Sequence, residues 1–263
     1  MPACDKVWFL TGCSTGFGRV MTEELLKLGA RVTATARRPE SLQELAAAYP
    51  ETLQVLALDV TDHCAIAECV DASALKWGSI DVLYNNAGYG LIGGIEEPTW
   101  EEIRAQFETN VFGAAEVIRQ VLPVMRRQGT GHILNISSIV GFVAYSAGGW
   151  YAATKHALEA LSESLSYEVK PLGIKVTSVQ PGPFRTNFAG SSLKMAERSM
   201  PEYEATVGTR RKALKEMDGA QIGDPVRACH AMMKVVEAEN PPLHLVLGSY
   251  AFQETVRYTG QLL

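Results

Sequence analysis

The chain has 263 residues, a net charge of −5, 47% hydrophobic side chains and 20% charged ones, which excludes disordered and fibrous classes and leaves enough chain to bury a sizeable α/β core. Its Lys and Arg residues lie in short scattered runs ("ARR", "MRR", "TRRK") rather than on one basic face, and no apolar stretch nears the ~20 residues of a membrane span, so neither a nucleic-acid partner nor a membrane is expected. The five cysteines (Cys4, Cys13, Cys64, Cys69 and Cys229) show no CxxC and no metal spacing; they read as free thiols of a cytoplasmic protein that binds no metal.

In chain order, "KVWFLT" predicts a buried strand and "GRVMTEELLKLG" the helix after it, closed by Gly29. "RVTATA" is a second strand, "PESLQELAAAY" its helix, "LQVLALDV" a third strand and "DHCAIAECVDASALKWG" a third helix. "IDVLYNNAG" is the fourth strand, and a long helical stretch is expected over 99–128. Then come the strand "GHILNISS", a helix over 150–171, the strand "GIKVTSVQPG", a helix near "DPVRACHAMMKVVEA" and a last strand, "LHLVLG". The strands are continuous apolar runs, as in parallel strands covered on both faces. Strict alternation of strand and helix predicts one domain over 1–263, a Rossmann fold with a doubly wound, seven-stranded parallel sheet and helices on both faces. The least patterned stretch, 184–223, is expected to be a substrate-binding flap or a surface helix pair.

The turn "TGCSTGFG" joins the first strand to the first helix. Gly12, Gly16 and Gly18 let the backbone come close to a ligand, and the helix offers free N–H groups and a positive dipole end. A pyrophosphate suits that place, with Ser14 and Thr15 as further donors; an ordinary strand-to-helix turn is the plain alternative. Ala36, Arg37 and Arg38 follow the second strand, with no acid before Glu40. Arginines there grip a 2′-phosphate that a carboxylate would repel, which predicts NADP(H) over NAD(H); the alternative is that they solvate a loop. Asp59 and Val60 end the third strand, where they are expected to border an adenine. Asn85, Asn86, Ala87 and Gly88 close the fourth strand at the same sheet edge.

Tyr151 and Lys155 in "YAATK" lie one helical turn apart, so both point the same way. A tyrosine is a poor base at its ordinary pKa of ~10, and a nearby cation favours the phenolate. Ser138 closes the strand before them and is placed to hold a carbonyl oxygen across the crevice. Ser137 competes, and because adjacent strand residues face opposite ways only one of the two can serve.

These motifs, in this order and over nearly the whole chain, resemble the short-chain dehydrogenase/reductase family. "TGCSTGFG" is similar to its cofactor turn, "NNAG" at 85–88 to its fourth-strand motif, and "PGPFRT" at 181–186 to the segment flanking the nicotinamide. The resemblance implies that Tyr151 is the general acid in reduction and base in oxidation, and that Ser138 orients the carbonyl. It implies that Lys155 lowers the Tyr151 pKa and binds the ribose, and that Asn110 in "FETNVFG" holds a water that relays protons. Phe17 occupies a cofactor-turn slot often held by isoleucine or leucine. Pro181, Gly182 and Phe184 are expected against the nicotinamide, and Thr186 on its carboxamide or, alternatively, at a helix cap. The implied activity is an NADP(H)-dependent carbonyl reductase or alcohol dehydrogenase acting on an apolar ketone, aldehyde or secondary alcohol. A halide-expelling lyase of the same fold is similar to a Ser-Tyr-Arg site without the glycine turn. A redox sensor would be expected to lack the tyrosine or the lysine. By the same resemblance the helices over 99–128 and 150–171 pair between subunits of a homodimer or homotetramer; the alternative is that the stripe Ala157, Leu158, Leu161 and Leu165 packs on its own sheet.

Overall fold

A computed structural model describes residues 1–262 apart from 187, 189 and 191. Strand β1 is Val7–Leu10, helix α1 Gly16–Lys27, β2 Arg31–Ala36, α2 Gln43–Ala48, β3 Leu53–Ala57, α3 His63–Trp77 and β4 Val82–Asn85. The chain continues with β5 Gly90–Ile92, α4 Trp100–Phe107, α5 Ala114–Gln128, β6 Gly131–Ile136, α6 Gly149–Val169 and β7 Ile174–Pro181. It ends with β8 Leu193–Met195, α7 Thr209–Glu216, α8 Pro225–Glu237, β9 His244–Leu247 and α9 Ser249–Leu262.

The seven longer-spaced strands form one sheet in the order β3-β2-β1-β4-β6-β7-β9, every neighbouring pair parallel. The expected doubly wound sheet is therefore present. Alternation along β1 explains the two-sided core: Trp8 and Leu10 pack with Met21 and Leu25 of α1 and Met232 of α8, whereas Phe9 faces Ile66 of α3 and Val117 and Val121 of α5. The chain direction of sheet-building reverses at β1, between β2 and β4, and this is where a crevice opens at the carboxyl edge.

Local chemistry sets the helix ends. Asp62 caps α3 through the Cys64 and Ala65 amides, and Asp224 caps α8 just before Pro225. Thr99 and Glu102 form a reciprocal capping box at the start of α4.

The helix expected over 99–128 is interrupted. Between α4 and α5 the residues Glu108–Gly113 form a π-turn, and Asn110 lies in it. A π-turn carries one extra residue, which turns the inward face without ending the rod.

Among its described residues the stretch 184–223 holds a short strand, β8, as well as helix α7. Its β8 pairs in parallel with β5, Leu91 opposite Lys194. Its Arg211 reaches Glu97, which is 1% exposed and also accepts from the Gly94 and Met200 amides at 2.6 and 2.8 Å. A carboxylate so buried persists because it is paired and fully hydrogen-bonded. Leu193, Met195, Tyr203 and Leu214 pack around Ile92, Ala147 and Val207. Helix α9, not expected from the sequence, covers the same side: Ala251 packs on Ile139 and Val143, and Tyr258 lies edge-on to Phe142. Among the described residues no helix is long and apolar enough to cross a membrane, and no group of three or more His, Cys, Asp or Glu side chains converges on a metal-sized site.

Candidate active site

A crevice of about 1030 Å³ runs along the carboxyl edge of the sheet. One end is built by the glycine turn. Gly12 sits at φ +70°, a left-handed conformation, and a Cβ there would meet the Ala87 backbone at 2.9 Å. At Gly18 a Cβ would strike the Gly12 carbonyl and the Asn86 amide. Both positions are thus closed to a side chain, as a backbone cradle for a ligand requires. Thr15 precedes α1 without a side-chain cap, so the first-turn amides remain free donors beside Ser14 and Gly16 on the crevice wall. The residues present fit a dinucleotide pyrophosphate.

Thr11 is a site residue that sequence reasoning passed over. It is fully buried, and its hydroxyl accepts from the Asn86 and Ala87 amides at 2.9 and 3.0 Å. Asn86 returns donors to the Thr11 and Gly12 carbonyls. The signal was available: a threonine closing an otherwise apolar strand has to place its hydroxyl somewhere. Thr11→Val keeps the shape and orphans two amides. We expect a loss of about 2 kcal/mol in urea denaturation together with weaker dinucleotide binding.

Arg37 is exposed and lines the crevice, as do Asp59 and Val60. Arg38 does not. It is exposed, and its carbonyl accepts from the Ser41 amide and hydroxyl ahead of the next helix. The expected arginine pair is thus a single arginine at the crevice. Asp59 spends one carboxylate oxygen on the Thr61 amide and hydroxyl, a local Asx-type turn.

Asn86, Ala87 and Gly88 form the floor next to β4. Pro181, Gly182, Phe184 and Thr186 form the opposite wall. Phe17 and Phe184 meet at 5.3 Å between ring centroids, so Phe17 acts as a prop for that wall. The Thr186 hydroxyl accepts from the Phe188 amide and its β-carbon faces Gly16 across the gap.

At the centre stand Ser138, Tyr151 and Lys155. Tyr151 is 8% exposed and packs against Phe188 at 5.6 Å. Burial pushes its pKa above the ordinary tyrosine value, and the adjacent Ser138 hydroxyl pulls it back down. Both serines line the crevice, and it is Ser138 that stands beside the phenol. Ser137 is buried, its hydroxyl unpartnered and turned towards Gly141, while Ser138 faces the phenol and accepts from the Val140 amide.

Lys155 is 5% exposed, donates to the Ile136 carbonyl at 2.7 Å and lies 5.9 Å from the Tyr151 ring centroid. Burial lowers its pKa to about 8, against the opposing pull of Glu159 one turn on. The expected acidification of Tyr151 by Lys155 is thus not what dominates in the protein alone: both groups are governed first by desolvation.

Asn110 does not line the crevice. From the π-turn its side chain accepts from the Tyr89 amide at 3.0 Å and donates to the Tyr89 carbonyl and the Thr154 hydroxyl at 2.9 and 3.1 Å. Thr154 in turn donates to the Tyr151 carbonyl. Asn110 therefore braces the loop after β4 against the helix that carries Tyr151 and Lys155.

A sequence profile described as short chain dehydrogenase matches residues 6–197. A curated oxidoreductase, BOA17 of Botryotinia fuckeliana, is 37% identical over 97% of this chain and 92% of its own. The solved structure of a short-chain dehydrogenase from Streptomyces avermitilis is 41% identical, covers 98% of this chain and 94% of its own, and superposes with a TM-score of 0.91. A short chain dehydrogenase from Burkholderia cenocepacia solved in complex with NADP is 25% identical, covers 98% of this chain and 93% of its own, and has a TM-score of 0.77.

Proposed function

The chain belongs to the short-chain dehydrogenase family, and from that premise we propose that it moves hydride between NADP(H) and the carbonyl or alcohol carbon of an apolar small molecule. The observation that carries this reading is the meeting of Ser138, Tyr151 and Lys155 in one crevice with the glycine turn. When bound, the nicotinamide supplies or takes up the hydride and its oxidised ring adds positive charge near the phenol. Ser138 donates to the substrate oxygen and holds it against Tyr151. Tyr151 gives its phenolic proton to that oxygen in reduction and recovers it in oxidation. Lys155 holds positive charge behind the phenol and donates to the ribose. In this reading Asn110 keeps the helix in register, and the free lone pair of its carboxamide oxygen holds a water that relays protons beyond Lys155.

The choice of NADP(H) rests on Arg37 just after β2, where the chain has no acid before Glu40. Arg37→Asp is expected to raise the KM for NADPH about 100-fold and to lower that for NADH. Initial rates with both cofactors across ketones, aldehydes and alcohols give the test, and an unaltered NADPH preference clears Arg37. Walls rich in Ile139, Val140, Leu193, Leu214 and Met217 favour an apolar substrate body. The same rates decide whether the protein turns over at all or only senses the dinucleotide.

The reading extends to a cytoplasmic homodimer or homotetramer joined through α4, α5 and α6. Leu158 of the apolar stripe is buried, whereas Trp100 of α4, Phe112 of the π-turn between α4 and α5, and Leu161 and Tyr167 of α6 are exposed. Light scattering measures the assembly.

A further inference from the structure

Helix α6 fastens its inner face to three strands in turn. Lys155 donates to the Ile136 carbonyl of β6 at 2.7 Å. One helical turn on, on the same face, Glu159 reaches the next strand: the Ser178 hydroxyl of β7 donates to one of its carboxylate oxygens at 2.7 Å. The other oxygen lies 3.2 Å from Nδ1 of His244 on β9. Ser178 and His244 are opposite each other in the β7–β9 ladder, and Val179, next along β7, is opposite Ile136. Lys155 and Glu159 are thus tied down at adjacent steps of one parallel sheet.

Hydride transfer as proposed gives Glu159 no part, yet its side chain is only 12% exposed. Ser178 needs no more than an acceptor there, which a glutamine would supply at a lower desolvation cost. The charge calls for a cation. Among the described residues no Lys or Arg forms an ion pair with Glu159, and its partner His244 is charged only when protonated. The cation that its field reaches is Lys155.

Lys155 has the complementary need. Its hydrogen bond goes to a neutral carbonyl, and burial favours its uncharged form. The groups around it supply no other negative charge. Tyr151 is kept protonated by burial, and the π-turn presents the Asn110 carboxamide, which flanks Gly88 together with the Lys155 ammonium. From β7, Lys175 donates to the Ala238 and Glu239 carbonyls; from α4, Glu102 is engaged in its capping box.

We propose that Glu159 is the positioning residue of Lys155: a carboxylate fixed behind it by Ser178 and His244, whose charge keeps the buried ammonium protonated at the pH where the site works. This adds a residue to the hydride-transfer reading and rests on that reading for its use.

Two measurements keep the two ideas apart. Glu159→Gln keeps the shape and the bond from Ser178 but removes the charge, whereas Glu159→Asp keeps the charge. In the first measurement, protein carrying lysine labelled with ¹³C at Cε is titrated by NMR, the Lys155 resonance being the one missing from Lys155→Met. Its midpoint is expected to fall by about one pH unit in Glu159→Gln and to return at least about halfway in Glu159→Asp. In the second, kcat/KM for NADPH is followed across pH with whichever carbonyl compound of the panel above turns over fastest. Glu159→Gln is expected to match the wild type within about threefold at pH 6 and to fall about fivefold below it at pH 8, because its alkaline limb moves down by the same amount. A purely structural role would lower the constant by one factor at every pH. An unmoved Lys155 midpoint, or a loss uniform in pH, overturns the part given to Glu159 and leaves hydride transfer standing. A midpoint that falls in Glu159→Gln, in a protein that turns over no carbonyl compound or alcohol of the panel, supports the hold of Glu159 on Lys155 and overturns the hydride-transfer reading instead.

Discussion

Tyr151→Phe is expected to lower the rate of hydride transfer by about 10³-fold while leaving NADPH affinity within threefold. The substitution removes one oxygen and keeps the ring, so the contact with Phe188 at 5.6 Å survives and the fold loses little. What it deletes is the proton that has to reach the substrate oxygen. Because burial holds the Tyr151 pKa above the ordinary value, the phenol stays protonated through the neutral range. Reduction should therefore be nearly independent of pH there, while oxidation, which needs the phenolate, should quicken as pH rises. Ser138 opposes the burial effect, so Ser138→Ala is expected to push the oxidative limb to still higher pH. Single-turnover traces at several pH values read all three effects. Retention of more than a tenth of the wild-type rate by Tyr151→Phe would remove Tyr151 from the proton path.

The parts of this architecture that were legible beforehand are those with long, regular signals. Continuous apolar strands announce a sheet buried on both faces, and the glycine turn fixes where its first helix begins. The parts that were not legible are short or nonlocal. Three-residue strands such as "GLI" and "LKM" carry no periodicity, and β5 and β8 are defined only by meeting each other across a hundred residues. The π-turn at Asn110 leaves no mark in an amphipathic pattern, since one inserted residue is absorbed within a helical rod. Helix α9 has aromatic and β-branched residues and Gly260, and its buried face depends on Ile139, Val143 and Phe142 from elsewhere. Arg37 and Arg38 are adjacent and chemically alike, so only backbone direction decides which one faces the crevice. The Tyr151–Lys155 pair illustrates a different limit. Spacing places the two groups on one face, but the sign of each pKa shift depends on how deeply that face is buried.

Lys155 carries the other large expected effect, and it runs in opposite directions for activity and stability. Burial depresses its pKa from 10.5 to about 8. A lysine whose pKa is lower folded than unfolded destabilises the fold wherever the unfolded chain holds a proton that the native state binds less readily. That burden is absent above about pH 10.5, grows as pH falls towards 8 and is complete below it, where it amounts to about 3 kcal/mol. Lys155→Met removes the ammonium, fills the same space and leaves the Ile136 carbonyl without its donor, a loss of about 1 kcal/mol. The variant is therefore expected to be more stable than the wild type by about 1–2 kcal/mol at pH 7, with the gap closing as pH rises to 10. Its turnover should nevertheless fall about 100-fold or more, and its KM for NADPH should rise, because the phenol loses the positive charge behind it and the ribose loses a donor. Urea denaturation of both proteins between pH 7 and 10, beside steady-state rates, measures the two together. A stability gap that does not vary with pH would show that Lys155 is not held in the strained protonation state its burial implies, and full activity in the variant would dismiss its part in the chemistry.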